Sequence, residues 1–300
     1  MAIKTVRAQV NGTWYTLTLN PSTKKYEASI TAPTKSSYNQ PNHYYNVTIE
    51  ATNTAGTSST ADGTDLAGLQ LKVKDVTVPI ITITSPTAGA TVTNNKPQIK
   101  WTVTDADSGV NPNTISIKID SGSAITSGIT KTASGKGFTC SYTPTTALSD
   151  GSHTITINAS DYDGNAAAAK SVTFKVDTTP PTLNVTSPAA GLITNTAALT
   201  VSGTTNDAVS SPVTVKITLN GTDQGTVTVS SSGAFSKAVT LKEGSNTIVV
   251  KATDAAGKAS TVTRTVTLDT SVPKITAATI TPNPADVGQT VLISITITEE

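Results

Sequence analysis

Cysteine is nearly missing: the 300 residues contain one, Cys140. No intrachain disulfide can form, and no paired-cysteine or mixed Cys/His zinc spacing exists. Histidine is equally scarce, with only His43 and His153. Neither lies beside a nucleophile elbow, a phosphate loop or a dinucleotide fingerprint, so the usual catalytic constellations are absent and the chain reads as a non-enzyme. An excess of one charge is also lacking, with 21 Lys+Arg against 20 Asp+Glu. That balance offers no field to gather nucleic acid or an anionic membrane. No apolar run reaches transmembrane length, which excludes insertion as a helix. Aromatic residues are few, at 4%.

What is present is strand chemistry. Thr, Ser, Val and Ile dominate, and β-branched side chains suit a pleated, half-buried surface. Apolar residues recur with period two. Ile99, Trp101 and Val103 alternate with polar neighbours, as do Ile115, Ile117 and Ile119. Phe138, Cys140 and Tyr142 do the same, then Ile155, Ile157 and Ala159, then Val172, Phe174 and Val176. The scheme repeats in Val213, Val215, Ile217 and Leu219, in Val227 and Val229, and in Ile248, Val250 and Ala252. Such runs predict antiparallel strands with one buried face. Cys140 is in phase with its buried neighbours and reads as a small hydrophobe.

Two kinds of punctuation divide these runs. Asp75-Val-Thr-Val-Pro79, Asp177-Thr-Thr-Pro-Pro181 and Asp269-Thr-Ser-Val-Pro273 all read D-x-[ST]-x-P and are spaced by roughly 100 residues, the size of one small sandwich. Proline ends sheet pairing and stiffens a connection. Ile49–Gly56, Ile157–Gly164 and Val250–Gly257 all read [IV]-x-A-[ST]-[DN]-x-x-G, a hairpin turn before each module's last strand. These marks set modules at 1–74, 75–176 and 177–268, with 269–300 beginning a fourth. Asn11-Gly12 predicts a tight hairpin in the first. Tyr26, Ala28 and Ile30 predict a further strand there.

The linkers and hairpins together resemble tandem bacterial immunoglobulin-like modules, most strongly over residues 75–270. The resemblance implies an all-β fold of tandem immunoglobulin-like β-sandwiches arranged as an extended rod. It also implies a structural or adhesive role, as in phage tail and fibre proteins, surface adhesins and S-layer-type proteins. The first module holds Trp14, Tyr15, Tyr26, Tyr38, Tyr44 and Tyr45. This aromatic opening resembles the Ig-like segments of phage tail proteins. The start, Met1-Ala-Ile-Lys-Thr-Val, is a strand pattern rather than a signal peptide, which favours a virion component over a secreted adhesin or stalk. A carbohydrate-binding accessory module of a larger protein is the third reading. Partners on these readings are other virion or cell-surface proteins, or host-surface glycans. Oligomerisation through the incomplete C-terminal segment is open.

Two candidate sites follow. Asp105-Ala-Asp-Ser-Gly109 and Asp161-Tyr-Asp-Gly-Asn165 fall in loops that an immunoglobulin-like sandwich places at one end, where Asp75 also enters. Asp75, Asp105, Asp107, Asp161 and Asp163 could therefore converge as oxygen ligands for Ca²⁺, the one cofactor the sequence suggests. Turn chemistry alone also explains each of them, because Asp bonds its own backbone two residues on. Asp177, Asp207 and Asp254 are the sparser counterparts in the third module. Trp14, Tyr38 and Tyr44 are the aromatic residues open to a surface role; Tyr26 and Tyr45 are in phase with the core.

Overall fold

The computed structural model describes residues 2–299 and is almost entirely β-structure, with three short 3-10 turns. The chain separates into two compact units, Met1–Val176 and Asp177–Glu300, with the division at the second D-x-[ST]-x-P mark. Among the described residues no helix is long and apolar enough to cross a membrane.

The first unit begins with a five-stranded sheet in the order Tyr26–Glu27, Thr13–Leu19, Ile3–Val10, Thr48–Asn53, Ser58–Ala61. Asn11 and Gly12 carry φ of 46° and 80°, as a type I′ hairpin turn requires. A second layer is only a short pair, Tyr45–Asn46 with Gln70–Leu71. Val6 and Val10 of the sheet and Tyr45 of the pair are the buried apolar residues of this module. The strand predicted to run through Ala28 and Ile30 stops at Glu27. It is an edge strand with two paired residues, and Ile30 lies 36% exposed. With so small a second layer, Val10, Tyr15, Leu17, Val47 and Leu71 line an open apolar groove of about 310 Å³.

The same unit continues as a complete sandwich. One sheet runs Thr130–Ser134, Gly137–Tyr142, Ile99–Thr104, Ile80–Ser85; the other runs Ser116–Ile119, Gly151–Asn158, Lys170–Val176, Thr91–Val92. Ile99, Trp101 and Val103 are wholly buried, and so are Ile115, Ile117, Ile155, Ile157 and Phe174. The period-two reading therefore gives the core directly, because alternate side chains in a strand face one side. Cys140 lies in that core, and burial pushes its thiol pKa up to about 11, so it is a packed hydrophobe and not a reactive thiol.

The second unit repeats the plan. Thr182–Ser187, Ala198–Asn206 and Ala234–Thr240 form one sheet. Leu192–Thr194, Ala259–Leu268, Gly244–Thr253, Thr214–Leu219 and Thr222–Asp223 form the other. Val201, Ile217, Ile248, Val250 and Val266 are buried between them. Val227 and Val229 make isolated bridges to Val215 and Phe235 where the alternation predicts a regular strand. Beyond Pro273, Lys274–Thr281 and Leu292–Thr298 pair into a two-stranded hairpin. From residue 271 to 299 every residue is exposed except the half-buried Pro282, which leaves Ile275, Leu292, Ile293 and Ile297 in solvent.

Candidate functional site

Three loops meet at one end of each complete sandwich. In the first unit they bring Asp75, Asp105 and Asp161 together, with one carboxylate oxygen from each within 4.8 Å of the others. Asp75 precedes the strand Ile80–Ser85, Asp105 follows Ile99–Thr104, and Asp161 follows Gly151–Asn158. Each spends one oxygen on its own turn. Asp75 Oδ1 accepts from the Thr77 amide (2.7 Å) and hydroxyl (2.7 Å). Asp105 Oδ1 accepts from the Asp107 (2.9 Å) and Gly109 (2.8 Å) amides, and Asp161 Oδ1 from the Asn165 amide (2.8 Å). Gly164 takes the φ of 94° that the hairpin needs.

The second oxygens differ. Asp75 Oδ2 accepts from the Ser108 amide at 3.0 Å, and Asp161 Oδ2 from the Asn165 side-chain amide at 2.6 Å. Asp105 Oδ2 is buried with no donor. Burial works against the charge of Asp75, but the Ser108 and Thr77 amides and the Thr77 hydroxyl outweigh it, so its carboxyl titrates below the ordinary range.

Asp107 and Asp163, placed by the sequence with these three, face the first module instead. Asp107 Oδ2 accepts from the Ser36 amide (2.8 Å), and Asp107 Oδ1 from the Asn39 side-chain amide (2.9 Å). Asp163 Oδ2 accepts from the Ser36 hydroxyl (2.5 Å) and the Asp75 amide (2.8 Å). Lys136 Nζ donates to Asn39 Oδ1 at 2.8 Å. The first module's 36–39 turn is thus clasped by two carboxylates and a lysine of the second. Ser36 is 1% exposed and Asp107 8%, so the bond between them forms out of water, where losing one partner is costly.

Tyr38 belongs to the same junction. Its ring lies between His43 and Tyr162, with centroids 4.1 Å and 4.3 Å away and near-parallel planes. Tyr44 is half-buried, and Trp14 is 38% exposed under the Arg7 guanidinium, 4.2 Å from the ring centroid. Sequence reasoning did not find Tyr162 as a partner of Tyr38, because 124 positions separate them and no local pattern links them.

It also missed a charged pair at the other end of the strand Gly151–Asn158. His153 is 7% exposed; its Nδ1 lies 2.8 Å from Asp120 Oδ2 and its Nε2 2.8 Å from the Ser149 carbonyl. Both partners accept, so both bonds form only when the ring carries two protons. Burial pulls the His153 pKa down, but the Ser149 carbonyl and the Asp120 carboxylate raise it above the ordinary value. Asp120 is lowered: burial opposes its charge, and the Thr154 amide and His153 prevail.

The second unit gathers Asp177, Asp207 and Asp254, again with one oxygen from each within 4.8 Å. At this separation each like-charged pair costs on the order of 3 kcal/mol at an effective dielectric constant of about 20.

Two stretches match family models: residues 79–157 match one described as a bacterial Ig domain, and residues 181–270 match one described as glucodextranase, domain B. No curated protein sequence matches the chain. Among solved structures, the chain is similar to fibronectin(III)-like modules of Clostridium thermocellum CbhA, at 18% identity over 63% of this chain and 94% of that one, with a TM-score of 0.36. It is also similar to immunoglobulin domains 1–5 of Sidekick-1, at 11% identity over 99% of this chain and 60% of that one, with a TM-score of 0.42.

Proposed function

We propose that this chain, a protein of tandem bacterial immunoglobulin-like modules, is a non-enzymatic structural part that spaces, displays or docks on a biological surface. The observation that carries the reading is the clasp between the first two modules. Buried and part-buried carboxylate bonds to Ser36 and Asn39 hold one small domain against the next. A joint of that kind serves a part that must keep a binding face at a fixed distance and direction. In this reading a Ca²⁺ ion held by Asp75, Asp105 and Asp161 would stiffen the same junction. The unpartnered Asp105 Oδ2 supports that role.

The finer assignment is to a phage-type virion, as a tail or fibre-associated component. It is supported by the aromatic-rich first module and its resemblance to Ig-like segments of phage tail proteins. Matching of residues 181–270 to glucodextranase domain B favours a second reading, an accessory module of a larger carbohydrate-active protein. Antibody raised against the chain decides between them. Labelling of purified particles from a lysate is the expected result. Labelling confined to the cell envelope, or to a secreted enzyme, would sink the virion assignment and leave the structural one.

A further inference from the structure

We propose that Asp177, Asp207 and Asp254 form a Ca²⁺ site in the second unit, which does not depend on the junction in the first. The starting point is two orphaned atoms. Asp177 is 0% exposed and Asp254 5%, and the Oδ2 of each is buried with no hydrogen-bond donor. Asp207 completes the group at 9% exposure. The ion pairs Arg7–Glu50, His153–Asp120 and Lys216–Asp223 involve none of the three. Buried carboxylate oxygens without donors are costly unless a proton or a cation neutralises them.

Local turns hold the three carboxylates in place. Asp177 Oδ1 accepts from the Thr179 amide (3.3 Å) and Asp254 Oδ1 from the Lys258 amide (2.9 Å). Asp207 Oδ1 accepts from the Val209 (2.8 Å) and Ser210 (2.6 Å) amides. Oδ1 of each Asp is thus bonded to its own loop, and one oxygen from each lies within 4.8 Å of the others. Ser210, on the Asp207 loop and 4% exposed, adds a buried hydroxyl with no partner.

The ligand chemistry selects the ion. All charged donors are carboxylates, with no imidazole or thiolate, which suits a hard cation. Oxygens within 4.8 Å of one another match the span across a Ca²⁺ whose ligands sit at about 2.4 Å. Mg²⁺ keeps several waters and takes one or two carboxylates more readily than three from separate loops. The first cluster leaves fewer oxygens free for an ion, with Asp105 Oδ2 buried without a donor. There the Ser108 amide and the Asn165 side-chain amide occupy second oxygens of Asp75 and Asp161. Where the first unit has Asn165, the second has Lys258, and its bond to Asp254 runs through the backbone.

The test uses the full chain with Asp105→Asn and Asp161→Asn, which disarm the first cluster. Asparagine keeps the turn-forming Oδ1 and removes the charge. Titration calorimetry with Ca²⁺ should still register one site, with Kd no weaker than roughly 10⁻³ M. Adding Asp207→Asn and Asp254→Asn should weaken it at least about tenfold. Melting curves give a second readout. In chelator the Asp207→Asn, Asp254→Asn chain should melt at or above the unsubstituted one, because repulsion is relieved; in Ca²⁺ the order should reverse. No uptake of Ca²⁺ up to about 10 mM, well beyond the weak range of extracellular modules, would overturn the proposal. So would uptake unchanged by the added substitutions, uptake of Mg²⁺ alone, or melting of the unsubstituted chain that ignores Ca²⁺.

Discussion

The second and third modules share a plan and differ at matched positions. At the Asp120 turn the second module pairs Asp120 with His153. At the corresponding turn the third pairs Asn220 with Asn246, whose amides bond at 3.0 Å. The backbone is the same in both: Asp120 Oδ1 accepts from the Thr154 amide and Asn220 Oδ1 from the Thr247 amide, each at 2.8 Å. Asp120 and Asn220 both take positive φ, 51° and 50°. One module solves a tight turn with charge, the other with neutral amides. At the opposite end, Asp107 and Asp163 of the second module correspond in the repeat to Val209 and Ala256 of the third. In the second module these carboxylates bind Ser36 and Asn39 of the first, so they belong to that joint and not to the shared fold.

The comparison breaks most visibly if a core is emptied. Trp101 is wholly buried between the sheets of the second module. Trp101→Ala should destabilise that module by about 3–5 kcal/mol. Denaturation followed by hydrogen exchange should show amides of Ile155 and Ile157 losing protection while those of Ile248 and Val250 keep theirs. Equal losses in both would mean that the two units unfold as one.

A smaller effect should follow from opening the clasp. Asp163→Ala strips the acceptor from the Ser36 hydroxyl and the Asp75 amide, at a cost of about 1–3 kcal/mol for buried groups left unpaired. Limited proteolysis should then cut near 74–79 several-fold faster, with cleavage near 269–273 unchanged. Ala256→Ser, at the matched position of the third module, should alter neither rate. An unchanged cut near 74–79 would remove the clasp from the account.

The smallest difference is in pH. The His153 pKa is raised from 6.5, so its contribution is complete below about 6.5 and is lost as pH rises through the higher folded value. The Asp120 pKa is lowered from 3.8, so its contribution is complete above about 3.8 and is lost as pH falls through the lower folded value. The pair therefore supports the second module best between those values. Raising the pH from 6 to 9 should lower the melting of the first unit relative to the second. The double change His153→Asn, Asp120→Asn should abolish the shift by copying the third module. A shift that survives this change belongs to other groups.

Much of the fold was legible. Alternation located the core strands of the second and third modules, whose in-phase residues are buried. The first module was read less well. Its Tyr26 strand is short and its second layer slight, because a half-paired edge takes its length from neighbours and not from its own pattern. Of the aromatic candidates, Tyr38 proved to be stacked in the junction, a placement that depends on Tyr162.

The division between what is local and what is not runs through single aspartates. That Asp75, Asp105, Asp161, Asp177, Asp207 and Asp254 each turn their own loop was written in the sequence, since those bonds reach only two to four residues along the chain. Where the second oxygen goes was not written there. It is set by which loops the packed sheets bring to one end. For Asp75 and Asp161 it meets amides, for Asp105, Asp177 and Asp254 it is left without a donor, and Asp107 and Asp163 are drawn away to Ser36. Ser36 and Asp163 are 127 positions apart, and only packing of one module on the next brings their side chains within bonding distance.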